Sequence, residues 1–300
     1  MTQQRPLYVG ALLVFGAGWG LMQPLNKIVV EDGFQPFAIL TWQAIITLCV
    51  VGILVLGRGT RLPRGAAAWG ICLQIAILGT LIPNFASYAA VAHLPAGLMA
   101  ILISTIPIMA LPMGVVAGRE TATGPRILGL ACGVVAVALI ALTRDQVSGG
   151  APLAIAVALL APLCYALNAT RIAARGLAGL TPARAYLGAA LIMVPVSFTL
   201  ARATGQDLSL FQPGRWAGSA GILVISVGHT LIYLGFLWLV SQAGAVFASQ
   251  TAYLTTGFGI FWSATLLGER YPAAILVAGL LMLLGMALVR PSQPKVAPDP

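Results

Sequence analysis

Charge is what this 300-residue sequence has least of: only 8% of its residues are charged, seven of them acids and sixteen cations. An ordinary soluble domain carries about 25% charged residues, so a water-facing surface cannot be assembled here, and a soluble globular protein is excluded. Cysteine occurs four times, at Cys49, Cys72, Cys132 and Cys164. Each stands alone in an apolar block, without the paired spacing of a zinc site or redox motif, and reads as a small packing residue. No glycine-rich phosphate loop with its lysine is present, which excludes direct use of ATP by this chain. Missing too are a Gly-x-Ser-x-Gly stretch, a His-x-x-Glu-His run and any acid close in sequence to His229. An intramembrane hydrolase or lipid transferase, the alternative reading, therefore has to bring its nucleophile and base together from separate segments. The cations are scattered through short loops and form no basic arm, so nucleic acid is not an expected partner. No metal or cofactor is expected either.

What the chain does have is apolar sequence, 59% of the total, in blocks of about 20 residues that match the hydrocarbon thickness of a bilayer. Arg5 ahead of the first block imitates a signal peptide, but Gln23, Asn26 and Lys27 follow with no small-residue cleavage site, so the block reads as a retained span. The expected architecture is an all-α membrane protein with ten transmembrane helices, at 7–30, 35–57, 67–91, 96–117, 124–143, 152–173, 183–202, 216–240, 243–267 and 272–290. With the N-terminus in the cytoplasm, eleven of the sixteen cations fall inside, so the positive-inside rule predicts both termini there.

The polar stretch TRDQVSGG, Thr143 to Gly150, divides the chain into five-helix units at 6–143 and 151–291. Glu120 and Glu269 close corresponding spans of the two units, 149 residues apart. An odd number of spans forces the second unit to cross the membrane in the opposite sense. The expectation is two inverted repeats, the construction of many secondary transporters, with a substrate site near mid-membrane between them. Each of these glutamates neighbours an arginine, Arg119 or Arg270, and is expected to serve as a salt bridge or cap.

Several motifs carry a family resemblance: Trp19-Gly20 with Lys27 seven residues beyond the glycine, LPAG opening the fourth span, GRE after it, and LLGER closing the ninth. Together they resemble an EamA-type member of the drug/metabolite transporter superfamily, over roughly residues 6 to 291. In the second unit Tyr165-Ala166 replaces Trp-Gly and the basic residue comes early, at Arg171, so that half matches less well. The resemblance implies ten helices, cytoplasmic termini and export or exchange of small metabolites through a central cavity; it implies no particular substrate.

Polar residues inside the spans are the candidate site. In span 1, Gly16 and Gly20 share a face that admits a close neighbour, Pro24 frees a backbone carbonyl, and Gln23 faces either a substrate or a neighbouring helix. Asn26 reads as structural and Lys27 as an interfacial anchor. His229, in mid-span between Gly228 and Thr230, is a functional candidate by depth, though a bond to a carbonyl is an equal alternative. Tyr233 shares its face. Gln250, Tyr253 and Thr256 step along one face of span 9, where Thr255 or Ser249 is expected to bond its own backbone instead. Asn84 and Tyr88 share a face of span 3, Ser104 lies in span 4, and Trp19 and Tyr165 hold matching places in spans 1 and 6. The pairs Gly114/Gly118 and Gly129/Gly133 allow close packing, with a homodimer face as their second use.

With no acid at mid-depth, a cationic cargo is disfavoured. The expected function is export or exchange of a small neutral, zwitterionic or weakly anionic, amino-acid-like metabolite by alternating access. The fourteen arginines against two lysines, with abundant Ala and Gly, fit a GC-rich bacterial genome and hence an inner membrane.

Overall fold

The structure, a computed structural model, describes residues 5–57, 62–118, 120–142, 151–243, 248 and 250–289. The expected dividing segment 143–150, Arg119 and Ser249 lie outside the described residues. Every regular element among the described residues is helical. In chain order these are α1 (Arg5–Glu31), α2 (Pro36–Leu56), α3 (Ala66–Ala76), a π segment (Ile77–Leu81), α4 (Ile82–Val91), α5 (Ala96–Ile103) and α6 (Ile106–Val116). They continue with α7 (Gly124–Leu142), α8 (Ala151–Arg175), α9 (Pro182–Ala203), α10 (Trp216–Ala243), α11 (Thr251–Leu267) and α12 (Ala273–Leu288).

Eight helical runs among the described residues are long and apolar enough to cross a membrane, counting α3 to α4 and α5 to α6 as one run each. α11 and α12, at 17 and 16 residues, are shorter. This is a multi-pass membrane protein. α10 runs on to Ala243, and the next helix given in full is Thr251–Leu267; residues 244–247 lie outside the described residues.

Two runs that the sequence presents as unbroken are interrupted. Pro83 and Pro107 lack the N–H that would continue the preceding ladder, and each opens a new helix at its first turn. Before Pro107 the break is satisfied locally: Ser104 Oγ donates to the Ile101 carbonyl at 2.6 Å and Thr105 Oγ1 to Leu102 at 2.7 Å. Pro24, by contrast, sits inside a continuous α1.

Helix pairing follows a regular plan. α1 packs against α10 and α11, while α8 packs against α4 and α6; α2 pairs with α9, and α7 with α12. Small residues set these approaches. A Cβ at Gly20 would lie 2.7 Å from the Gly259 nitrogen, and Trp262 Nε1 donates to the Ala17 carbonyl at 3.2 Å across the same α1–α11 seam. Gly129 and Gly285 face each other backbone to backbone between α7 and α12, and Gly133 packs on Ile108. The Gly129/Gly133 pair is thus occupied inside the bundle. Gly114 lies against Glu120, and Gly118 is a left-handed turn residue with φ +67°.

One end of the bundle is tied across the two halves by side chains that cap helices distant in sequence. Gln206 Oε1 accepts from Phe37 N at 2.9 Å and Ala38 N at 3.1 Å, at the start of α2. Asp32 Oδ2 accepts from Gly218 N at 2.6 Å, at the start of α10. The Glu269 carboxylate takes Ala96 N at 2.7 Å and Gly97 N at 3.1 Å, at the start of α5, and also accepts from the Tyr271 hydroxyl. Burial, reinforced by that carboxylate, pushes the Tyr271 phenol above the usual tyrosine range and keeps it a donor. Carboxylates at helix N-termini satisfy orphan N–H groups and complement the dipole. Within the first half, Lys27 Nζ donates to the Leu94 carbonyl at 3.0 Å and pairs with Glu31 at 3.5 Å. Glu120 accepts from Arg126 Nη1 at 2.7 Å. Glu269 caps α5 and Glu120 pairs with Arg126, the salt-bridge and cap roles expected of them.

Candidate functional site

Six spans contribute polar or aromatic side chains to one cluster in the middle of the bundle. α2 carries Gln43 and Thr47 on one face, four residues apart. α4, restarted by Pro83, carries Asn84 and Tyr88 on one face by the same spacing. The Gln43 carbonyl oxygen accepts from Asn84 Nδ2 at 2.9 Å and from the Tyr88 hydroxyl at 3.2 Å. On its other side Asn84 Oδ1 accepts from the Tyr165 hydroxyl of α8 at 2.8 Å. Gln43, Asn84 and Tyr88 are only 3%, 8% and 2% exposed, so each bond exists where an unmade one would cost about 1–3 kcal/mol.

An aromatic wall continues from this chain of amides. The rings of Tyr186 from α9 and Tyr233 from α10 lie 4.8 Å apart, and Tyr233 stacks on His229 at 6.3 Å with the planes 6° from parallel. Trp19 of α1 stands 6.5 Å from His229 and 5.1 Å from Phe236. Beneath Tyr186, Thr47 and Thr230 hydrogen-bond to each other at 2.9 Å. Trp19, Tyr165, His229 and Tyr233 are half-buried rather than fully buried. No Asp, Glu, Lys or Arg occurs in the central third of any described helix. The site is polar, aromatic and uncharged.

Of the residues singled out from sequence, Trp19, Asn84, Tyr88, Tyr165, His229 and Tyr233 come together here. Gln23 lies one turn beyond Trp19 on the same face of α1, partly exposed and without a hydrogen bond among the described residues. Four others do not join the cluster. Ser104 is spent on the α5–α6 break, and Thr256, fully buried, donates to its own Ala252 carbonyl at 3.0 Å, the role expected of Thr255 or Ser249. Gln250 is exposed and precedes α11, so no continuous stripe of Gln250, Tyr253 and Thr256 forms. Gln250 and Tyr253 instead line a separate pocket of about 290 Å³ with Val9, Leu12, Leu13 and Leu254. Val9 to Leu13 sit six to ten residues before Trp19, roughly 9–15 Å along the helix.

Gln43, Thr47 and Tyr186 are additions that sequence reading missed. A glutamine within LTWQAIIT, deep in an apolar block, was the available signal for Gln43. Tyr186, five residues into α9, looks like an interfacial aromatic until the packing is known.

Residues 7–142 match the model of the EamA-like transporter family. This segment is similar to the EamA-like transporters. Trp19, Gln43, Asn84 and Tyr88 of the cluster all lie within this matched segment. No curated protein matches the chain. A solved structure titled only "Crystal structure of protein" is similar over 93% of this chain and 96% of its own, at 16% identity and a TM-score of 0.58. That likeness shows a fold shared with that structure over nearly the whole length.

Proposed function

We propose that the protein is a secondary transporter that exports or exchanges a small neutral, zwitterionic or weakly anionic metabolite, amino-acid-like in size and polarity, across a bacterial inner membrane. The observation that carries this is the meeting of amide, phenol, indole and imidazole groups from six spans at mid-bundle, with no charged side chain beside them. Purely structural polar contacts would not need residual exposure at Trp19, Tyr165, His229 and Tyr233. An unpaired ionic cargo is costly to hold in such a site, whereas dipolar groups suit an uncharged or charge-balanced one. The cluster offers neither a nucleophile paired with a base nor two carboxylates, and the family points away from an enzyme.

The mechanism proposed is alternating access between two inverted five-helix repeats. Its support is the pairing plan. Exchanging the first five spans for the last five turns the α1 contacts with α10 and α11 into the α8 contacts with α4 and α6, and turns α2–α9 and α7–α12 into themselves. The cross-half caps at Gln206, Asp32 and Glu269 all lie at one end; in this reading that end is shut and the other gives access. Purified protein in liposomes, loaded with a metabolite mixture and assayed for counterflow, tests the proposal. Selective exchange of one solute class supports it, and exchange of none refutes it.

A further inference from the structure

We propose that Gln74 and Asn168 form a second polar station on the solute's route, a gate between the mid-bundle cluster and the end of the bundle opposite the Asp32, Gln206 and Glu269 caps. This rests on the transport reading and adds a path to it.

The inference starts from an irregular stretch in one span. The third span runs as regular helix through α3, loosens into the π segment Ile77–Leu81 and restarts as α4, with Pro83 in its first turn. Single π turns inside α-helices gather at functional sites. Here the packing partner changes across the turn: α4 and the π segment lie on α8, whereas α3 packs on α9. The third span and α8 therefore part on the side of the π segment away from Asn84. α2 starts at the capped end and α3 follows it, so α3 begins at the uncapped end and the parting opens toward that end.

Across the parting two amides meet. Gln74 Nε2 donates to Asn168 Oδ1 at 3.0 Å. Asn168, 9% exposed, follows Tyr165 by three residues and shares its face of α8, and Tyr165 is the α8 member of the central cluster through its bond to Asn84. Gly79, inside the π segment, leaves room for the Asn168 amide: a Cβ there would lie 3.1 Å from Asn168 Nδ2. The pair thus stands about 4.5 Å along α8 from the cluster, on the uncapped side, with Gln74 half-buried. Amides also tie membrane helices together with no further role. This bond differs from a tie in its place, since it lies where the two helices part. An amide pair holds donor and acceptor alike whichever way its amides are turned. Its bond can therefore be exchanged for bonds to a solute's amide, hydroxyl or carboxylate, and no charge is left buried.

Thiol labelling tests whether the station is wet and on the route. Cys49, Cys72, Cys132 and Cys164 are replaced by alanine, and a single cysteine is placed as Gln74→Cys or, for the control, as Leu73→Cys, at a 46% exposed position of the same helix that faces acyl chains in this reading. A sulfonated, membrane-impermeant methanethiosulfonate is added to proteoliposomes from one side or trapped on the other. It reacts with thiolate, which forms in water and not in lipid, so Gln74→Cys is expected to label at least about tenfold faster than Leu73→Cys, and from one side of the membrane only. The attached label is expected to cut metabolite counterflow about tenfold or more. Labelling no faster than the control, or labelled protein with counterflow within about twofold of unlabelled, overturns the gate alone. If the cysteine-free background fails to fold, Gln74→Leu in the native background decides the matter: the KM for counterflow is expected to rise about fivefold, the worth of a neutral hydrogen bond, and an unchanged KM overturns the gate. Absence of counterflow by the unlabelled wild type overturns the transport reading on which the gate rests.

Discussion

Asn84 joins three helices through a single side chain: it donates to Gln43 on α2 and accepts from Tyr165 on α8. Replacing it by leucine leaves the Gln43 oxygen one donor short and the Tyr165 hydroxyl without an acceptor. The expected cost is about 1–3 kcal/mol, read as a lower unfolding temperature in detergent together with lost flux. His229 and Thr256 give a sharper contrast. His229→Ala removes a ring from the wall and is expected to cut flux about tenfold with little change in unfolding temperature. Thr256→Val, which deletes only a hydroxyl bonded to its own helix, is expected to leave flux within about twofold of wild type. Equal flux in the two variants would count against the cluster as the binding site. The pair also marks what one-dimensional reading can deliver. Depth in an apolar run pointed to His229 and a shared face with Tyr88 to Asn84, but helical spacing alone did not distinguish a hydroxyl turned to a cavity from one turned to its own carbonyl, as Thr256 and Ser104 are.

At the scale of elements, the spans were legible because a bilayer imposes a length and an apolarity that few other environments require. The interruptions were less so: Pro24, Pro83 and Pro107 look alike in sequence, yet α1 continues through the first while the other two start new helices. Glycine positions make the contact faces testable. Gly20→Leu would force a side chain into the Gly259 backbone across the α1–α11 seam, and overpacking of that kind costs about 1–3 kcal/mol. Gly257→Leu on the same α11, where a Cβ meets nothing within 4 Å, is the control and is expected to be silent. The distant caps were invisible beforehand, since nothing in the loop around Gln206 or Asp32 names the helix it will serve. Glu269→Ala removes the acceptor for two N–H groups of α5 and is expected to destabilise by about 0.5–2 kcal/mol. Glu269→Gln, which keeps one acceptor oxygen, is expected to lose less. Thermal unfolding of the two variants side by side measures the difference.

For the whole molecule, the pairing of α1 with α10 and α11, mirrored by α8 with α4 and α6, connects the odd span count to the central site. In the proposed inverted-repeat arrangement, two copies related by an in-plane axis put corresponding faces on the same internal space, which Trp19 and Tyr165 reach from α1 and α8. If the chain crosses ten times, as proposed, its two ends lie on the same side of the membrane, and reporter fusions at residues 1 and 300 are expected to find them there. The central claim, however, is that the uncharged cluster is where a solute is held during transport. Metabolite counterflow in proteoliposomes, compared between wild type and Asn84→Leu or His229→Ala reconstituted to equal density, tests it most directly. The account predicts selective exchange of a small uncharged, zwitterionic or weakly anionic solute by the wild type and a loss of about tenfold or more in each variant. Exchange unaffected by either substitution, or confined to a multiply charged cation, would contradict it.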